Sequence, residues 1–338
     1  MGSIVTLGLG RLEVDWGKNS FYNNHSRLFL PTDRKPVTHH YVDSETEAVV
    51  EELRPGFARP LRSVKRRIEL LGYTLSEAKR RFETDASMVP DYYDEPNISF
   101  EVFARTLASV DVNAVALDPW FADHSLGDFA ARSILRDPEF TKTAENLKSL
   151  TRFDGTFFEN LDPYVILRLL AENPSNLDVD VEWRIADIVE GGWAQEDTIY
   201  EGLSDRDRYL IVTEGSSDGA VLRRAIEHLR PDIADFFDFV DMSENYPFTG
   251  AGNLFRFCQS LARIRIQNNV VVVFDNDAAG REAEEKVNRL DLPSTLTIVR
   301  LPHLAACESF PTVGPNGHAA QDINGRAVST ELFLYVAT

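Results

Sequence analysis

The hydrophobic positions in the C-terminal part of the chain form short runs that are separated by amphipathic segments. Two of these runs, residues 209–213 and 270–274, are rich in β-branched residues and end abruptly before acidic residues. Short apolar runs of this kind are typical of buried parallel strands. Similar runs at 236–240 and 295–301 have helical stripes between them. The pattern therefore predicts an α/β fold with a parallel sheet flanked by helices.

The N-terminal part begins with alternation and continues with helical spacing. Apolar positions alternate over residues 4–16 and predict a β-hairpin that turns near Gly8–Gly10. Further along, a helix is expected from Pro60 to Gly72, because proline suits the first turn of a helix and glycine suits its end. Residues 181–189 also show helical spacing. The pattern predicts a mostly helical region with one short hairpin.

Length and composition fit a protein of two or three domains. The chain has 338 residues, of which 43% are hydrophobic and 10% aromatic, as in ordinary globular proteins. We divide it into an N-terminal domain at 1–85, a helical region at 86–205 and a C-terminal domain with its tail at 206–338. Two cysteines without C-x-x-C spacing predict neither a disulfide framework nor a zinc module, so we expect a cytoplasmic protein. No apolar stretch approaches the ~20 residues of a membrane helix, so we expect no membrane association.

Acidic residues follow two of the apolar runs. Glu214 comes directly after the first run and Asp218 four residues later, and Asp275 and Asp277 come after the valine-rich run. Ligands of open parallel sheets bind beyond the carboxyl ends of the strands, and residues two apart on extended backbone share a face. Carboxylates that converge without Lys or Arg repel one another unless a cation lies among them. Oxygen ligands suit Mg²⁺ or Mn²⁺, so the sequence predicts a metal site at these four residues.

The chain carries E-G-x-x-D after the first run and D-x-D-x-x-G after the later one, with Gly280 as the last residue of that motif. Together these motifs resemble the TOPRIM domain, which topoisomerases, bacterial primases and a branch of nucleases share. The resemblance implies a Rossmann-like parallel sheet and two divalent ions held by Glu214, Asp218, Asp275 and Asp277. It also implies metal-dependent cleavage of phosphodiesters, in which Glu214 doubles as a general acid or base.

The first 85 residues carry a second set of motifs. They contain D-W-x-K-N-S from Asp15 and P-L-R-x-V-x-x-R-I-E-L-L-G-Y-T-L from Pro60. This pattern is similar to the N-terminal domain of HEPN/TOPRIM-associated proteins, which implies a bacterial protein of phage defence. HEPN ribonucleases use R-x4-H on a helix, and we interpret the two such spacings here, at 34–39 and 223–228, as chance matches.

Positive charge is concentrated at residues 54–83, although the net charge of the whole chain is −19. This segment has nine Lys or Arg and three Glu. It is the candidate surface for a nucleic-acid backbone, which is usually held by basic residues. An ordinary solvated helix face is the alternative. The candidate contacts are Arg62, Lys65, Arg66, Arg67, Lys79, Arg80 and Arg81.

The tail beyond the last predicted strand is a further candidate site. Asp322, Asn324 and Glu331 lie where the chain can return to the carboxylates, and the HEPN/TOPRIM-associated family has a similar D-x-N-G…E element. A tight turn at Asn324-Gly325 is the alternative. The last residues are apolar, so we expect that a protein partner or a second copy of the chain covers them, or that the chain is truncated.

These features predict a metal-dependent nuclease that acts on DNA or RNA, with transfer RNA among the open substrates. A topoisomerase needs a tyrosine nucleophile on a separate domain, and a primase needs a zinc module or a nucleotide-binding partner domain. Neither is evident in the sequence. A non-catalytic module that recruits a partner fits the acidic charge but leaves the metal motif without a use.

Overall fold

The computed structural model of the chain describes residues 3–42, 45–46, 48–88, 99–115, 161–240, 250–315 and 317–335. Contacts divide the chain into two compact units, Met1–Gly202 and Leu203–Thr338. The first unit contains an antiparallel sheet and the second a parallel sheet, and both contain helices. The α/β class with a parallel sheet flanked by helices is therefore confirmed, whereas the mostly helical N-terminal region is not.

A five-stranded antiparallel sheet forms the centre of the N-terminal unit, in the order β2-β1-β5-β4-β3. Its strands are β1 (Ile4–Leu9), β2 (Leu12–Lys18), β3 (Arg34–Val42), β4 (Val49–Pro60) and β5 (Asp180–Arg184). The expected hairpin is present, since β1 pairs with β2 and Gly10 in the turn has a φ of 58°, which favours glycine. Strands β3 and β4 form a second and longer hairpin that the sequence did not predict.

Helices of the N-terminal unit pack with this sheet around one hydrophobic core. They are α1 (Leu61–Leu70), α2 (Leu75–Met88), α3 (Phe100–Ser109), α4 (Pro163–Leu170) and α5 (Ala186–Glu190). Helix α1 agrees with the sequence prediction: Leu61, Val64 and Ile68 are buried, and Gly72 follows its end with a φ of 94°.

Strand β5 lies where the sequence predicted a helix over 181–189. Val181 and Trp183 are fully buried and alternate with half-buried Glu182, which is the period of a strand. Strand β1 pairs with one edge of β5 and β4 pairs with the other. Because both edges are hydrogen-bonded, the sheet overrides the weaker helical spacing, and only Ala186–Glu190 is helical.

The C-terminal unit is built on a four-stranded parallel sheet in the order β10-β8-β6-β7. The strands from the start of this unit to the end of its sheet are β6 (Tyr209–Thr213), β7 (Phe237–Phe239), β8 (Asn269–Phe274), the short β9 (Asn276–Asp277) and β10 (Leu296–Arg300). The helices described between these strands are α6 (Ser216–Leu229), α7 (Ala251–Ile264) and α8 (Ala278–Val287). Val272 and Phe274 of β8 are fully buried and pack with Leu254 of α7 and Val287 of α8.

The remaining chain forms small elements that follow β10. These are the hairpin β11 (Phe310–Gly314) and β12 (Gly317–Gln321), β13 (Ala327–Val328) and α9 (Thr330–Tyr335). Strand β13 pairs antiparallel with β9, which contains Asp277, so the tail is joined to the end of β8. Within the described ranges, none of the helices combines the length and the apolar composition that crossing a bilayer requires.

Candidate functional site

The strand order of the parallel sheet defines a switch point between β6 and β8. The chain runs outward from β6 to β7, then crosses back to β8 and continues outward to β10. In open α/β sheets, ligands bind in the crevice beyond the carboxyl ends of the two strands at such a point. Glu214 directly follows β6 and Asp275 directly follows β8. The topology therefore brings two of the predicted site residues to the same edge of the sheet.

Glu214 is held against the backbone that follows β8. Its Oε1 accepts a hydrogen bond from Asp275 N at 3.0 Å, and its carbonyl accepts one from Gly250 N at 3.0 Å. Gly280 leaves the space for this arrangement, because a Cβ there would lie 2.9 Å from Glu214 Oε1 and 2.3 Å from Asp275 O. The glycine of the D-x-x-G motif is thus required by packing against the glutamate.

Asp218 lies in the first turn of α6 and is buried. Its Oδ2 accepts a hydrogen bond from Gly215 N at 3.0 Å, so the residue caps the helix. Thr330, at the start of α9, offers its hydroxyl to the same carboxylate, which acts to lower the pKa of Asp218. Asp277 is itself the N-cap of α8, and its Oδ1 accepts from the N–H of Gly280, the third residue of that helix, at 2.7 Å.

The carboxylates act on one another electrostatically. Burial raises the pKa of Asp275 to about 7, and the charges of Asp218, Glu214, Asp277 and Glu331 add to the effect. The pKa of Glu214 is raised by burial and by the charges of Asp277 and Asp218. Burial also raises the pKa of Asp218, and Glu331 contributes. The cluster therefore favours protons or another cation among its side chains at neutral pH.

The donor chemistry of this cluster suits a hard divalent cation. In the described part of the chain, no Lys or Arg forms an ion pair with Glu214, Asp218, Asp275 or Asp277. Three of them accept a backbone N–H, and Asp218 also accepts from the Thr330 hydroxyl. Because each carboxylate has about four lone-pair sites, they retain acceptor capacity for a cation. No group of three or more His, Cys, Asp or Glu among the described residues is already arranged to hold a metal ion. The residues fit Mg²⁺ or Mn²⁺ by chemistry, and their side chains have to rotate to enclose one.

The raised pKa of Asp275 predicts a pH-dependent difference in stability between the metal-free wild type and Asp275→Asn. Between pH 7 and about 4 the folded wild type binds a proton that the unfolded chain has released, so ionisation of Asp275 costs stability as the pH rises. We expect Asp275→Asn to be more stable by about 1–2 kcal/mol at pH 8, allowing for partial solvent screening. The gap should shrink by more than about half at pH 5 and close only below about pH 4, where the carboxyl of the unfolded chain is protonated as well.

Thermal melts in a chelator at both pH values measure this gap. Only the difference between the two proteins is informative, because burial lowers the pKa of His39 and of His40 to about 4, so their contributions change with opposite sign over the same range. Both proteins contain these histidines, so their contributions cancel in the difference between the two stabilities. A gap that stays constant from pH 5 to pH 8 would contradict the assigned electrostatics of Asp275.

The tail residues have separate roles. Asn324 joins the tail to the chain after β10: its Oδ1 accepts from Leu304 N at 2.9 Å and its Nδ2 donates to Leu304 O at 3.1 Å. Asp322 is exposed and accepts from Asn324 N at 3.0 Å within the same turn. Glu331 is exposed, but its charge raises the pKa of Asp275 and of Asp218. The structure therefore brings Glu331 near the carboxylates, whereas Asp322 and Asn324 shape the turn that leads there.

The family model described as HEPN/Toprim N-terminal domain 1 matches residues 1–207, which is more than half of the chain. The chain belongs to this family. The resemblance of its N-terminal motifs to HEPN/TOPRIM-associated proteins is thereby confirmed at the level of the family. No curated protein matches the chain, and no solved structure does.

The basic segment of this HEPN/Toprim N-terminal protein is largely neutralised by carboxylates. Lys65 contacts Glu172 at 2.9 Å and Lys79 contacts Glu101 at 2.6 Å. Further ion pairs of the segment join Arg62 to Asp178, Arg80 to Glu77, and Arg81 to both Glu77 and Asp162. A phosphate backbone would have to displace these partners, so the candidate surface offers less free positive charge than the sequence suggests.

Arg67 requires a correction. The sequence assigned it to the nucleic-acid surface, but its side chain is fully buried. Its Nε donates to Arg27 O at 2.9 Å, which satisfies the guanidinium inside the unit. Arg66, its neighbour, is exposed. Arg67 therefore contributes to packing and is removed from the candidate contacts.

Sequence reasoning missed two residues at the carboxylate site of this HEPN/Toprim N-terminal protein. Asn276, between the two aspartates, is buried; its carbonyl accepts from Gly325 N at 2.9 Å and its Nδ2 donates to Pro302 O at 3.3 Å. Side chains alternate on extended backbone, so the side chain of Asn276 faces away from those of the two aspartates. The sequence therefore contained a signal for this residue. Thr330, the other residue, lies far along the chain from Asp218, and no local pattern reveals their proximity.

Proposed function

We propose that the chain is a metal-dependent nuclease whose active site comprises Glu214, Asp218, Asp275 and Asp277. One observation carries the proposal: at the switch point of a parallel sheet, and without a Lys or Arg ion pair among the described residues, the charges of Asp218 and Asp277 raise the pKa of both Glu214 and Asp275. A divalent cation relieves that repulsion. The family name, HEPN/Toprim, supports a nuclease-like role at a coarser level.

Each side chain has a part in the proposed reaction. The four carboxylates would hold two Mg²⁺ or Mn²⁺ ions; when bound, such ions lower the pKa of a coordinated water and neutralise the leaving oxygen. Glu214 keeps Oε1 on the Asp275 N–H and has its other oxygen to accept or return a proton, the role that the TOPRIM resemblance implies. Asp275 binds a proton near neutral pH in the metal-free protein, so metal binding releases that proton.

A non-catalytic binding module is the second candidate, and a specific observation favours it. In the described residues no three potential ligands are already arranged around a metal position, and three carboxylates accept backbone N–H groups. Carboxylates that only stabilise the local backbone would have the same hydrogen bonds and no preformed metal position. The nuclease proposal requires the second oxygen of each carboxylate to bind an ion, and the recruitment proposal does not.

Incubation of the purified protein with labelled nucleic acid separates the two candidates. DNA and RNA pools, including a transfer RNA pool, are incubated separately with Mg²⁺, with Mn²⁺ and with a chelator. The nuclease proposal expects fragments from at least one pool with metal and none with the chelator. Intact pools under every condition, with the same protein shown to be folded, would favour the recruitment module.

The cellular role that we propose is defence of a bacterial cell against phage, with a protein partner or a second copy of the chain as a further component. This proposal rests on the family resemblance. The measurement is plaque formation on cells that express the wild type or the Asp275→Asn variant. If cells with the wild type and cells with the variant form equal plaque numbers, the proposed active site is not needed for defence.

A further inference from the structure

An acidic site in a chain of net charge −19 needs local positive charge to hold a nucleic-acid backbone. Some basic side chains of the described C-terminal unit are paired with carboxylates, as Arg265 is with Asp291 and Arg300 with Glu284. A phosphate site requires arginines that lie near the cluster and have no such partner.

Arg281 meets this requirement. It lies in the first turn of α8, four residues after Asp277, and is exposed. Its guanidinium packs on buried Gly325: the Cβ that this glycine lacks would lie 3.6 Å from Arg281 Nη1 and 3.9 Å from Asn276 Oδ1. The side chain is therefore held beside Gly325, whose N–H donates to the carbonyl of Asn276, and it remains exposed.

Arg326 directly follows Gly325 in the chain and lies beside the backbone of Asp277. It forms a β-bridge with Asp277, and its carbonyl accepts from Ala278 N at 3.3 Å. Its side chain is exposed. Hydrogen bonds from Asn324 lower the pKa of Asp322, and the charge of Arg326 adds to this effect without an ion pair between the two in the described structure.

Neither arginine neutralises the carboxylate cluster. Within the part of the chain that the structure describes, no carboxylate lies within ion-pairing distance of Arg281 or Arg326. The charges that act on Asp275 are all carboxylates. Arg281 packs beside Gly325 and the backbone of Arg326 pairs with that of Asp277, so both residues come from positions close to Asp277, and without a carboxylate partner their N–H donors can bind a ligand.

We propose that Arg281 and Arg326 form a binding subsite for the sugar-phosphate backbone, next to the phosphate that is cleaved. The inference rests on the proposed nuclease function and adds the residues that hold the substrate. The ligand class is a phosphodiester, which guanidinium groups bind through paired N–H donors. Because such contacts do not read bases, the subsite acts on DNA and RNA alike.

The test is the salt dependence of binding to labelled single-stranded DNA and RNA, with Ca²⁺ as the divalent ion so that the carboxylates carry a cation. Arg281→Gln and Arg326→Gln are compared with Arg289→Gln, an exposed arginine beyond the end of α8 at Val287. The helix between the two positions spans roughly 9 Å, which is about the Debye length of 10 Å at 0.1 M salt. All three variants lose one positive charge.

We expect Arg281→Gln to raise Kd by about 5–10-fold at 0.1 M salt and to reduce the slope of log K against log salt by about 0.7–1. Arg326→Gln should act in the same direction, and Arg281→Lys should restore the slope because it keeps the charge. Arg289→Gln should stay within about twofold of the wild type, because screening removes distant charges.

The outcomes distinguish this inference from the function on which it rests. If the wild type binds nucleic acid and the Arg281 and Arg289 variants weaken binding equally, the subsite is wrong and the nuclease proposal stands. If Arg281→Gln and Arg326→Gln weaken binding while Arg289→Gln does not, but the wild type cleaves nothing, the subsite stands and the nuclease proposal fails. A wild type that binds neither DNA nor RNA overturns both.

Discussion

Replacing Asp275 and Asp277 together with asparagine should reduce turnover by ~10³-fold or more while the protein stays folded. The charges of three other site carboxylates raise the pKa of Asp275, so this residue is central to the proposed cation site. Asp277 Oδ1 accepts from Gly280 N, and asparagine keeps that acceptor. The double variant therefore removes two charges and leaves the cap of α8 in place.

The same variant should be more stable than the wild type when no metal is present, because it removes repulsion between like charges. Activity and melting temperature then change in opposite directions, which loss of folding cannot produce. Glu285→Gln is the matched control, since it removes a charge from an exposed position on α8. It should leave turnover within about twofold of the wild type. Undiminished cleavage by the double variant would remove these aspartates from the active site.

The carboxylate site was predictable because its signals are local. Glu214 and Asp275 each follow an apolar run directly. Because the ends of parallel strands meet at one edge of a sheet, chain order was enough to bring these two residues together. Gly280 was expected from the motif, and the structure supplies the physical reason, which is the contact of a Cβ with Glu214 Oε1 and Asp275 O. Local pattern and topology agree here.

The N-terminal sheet was not predictable in the same way, because its pairing is distant in sequence. Strand β5 is inserted between β1 and β4, which precede it by more than a hundred residues. Only the alternation of Val181, Glu182 and Trp183 indicated a strand, and over five residues this signal is weak. The position of a central strand depends on partners that local spacing does not identify.

The burial of Arg67 was indicated by helical spacing, but the sequence analysis assigned this residue to the surface. It lies three residues after Val64 and next to Ile68, so helical spacing brings it to the buried side of α1. Composition alone placed it among surface cations. Burial is tolerated because the carbonyl of Arg27 accepts its Nε–H, a contact between residues distant in sequence. Thr330, which reaches Asp218 from the tail, had no comparable local signal.

Asp218→Asn is the substitution that separates a two-ion site from a one-ion site. The structure confirms that Asp218 caps α6, since its Oδ2 accepts from Gly215 N at 3.0 Å. It also shows that the charge of Asp218 acts on Asp275. Asparagine keeps an acceptor for the cap and removes the charge, whereas alanine removes both and should cost a further ~0.5–2 kcal/mol of stability.

If Asp218 binds a second ion, Asp218→Asn should lower turnover by about 100-fold or more and reduce the bound Mn²⁺ from two ions to one. Thr330→Val tests the support of that carboxylate, because it removes the buried hydroxyl and keeps the charge. It should weaken the second Mn²⁺ and leave the first unchanged, and Thr330→Ser should restore both. Calorimetric titration without nucleic acid counts the ions. If Asp218→Asn binds two ions and cleaves at the wild-type rate, Asp218 serves only as the cap of α6 and the two-ion mechanism is wrong.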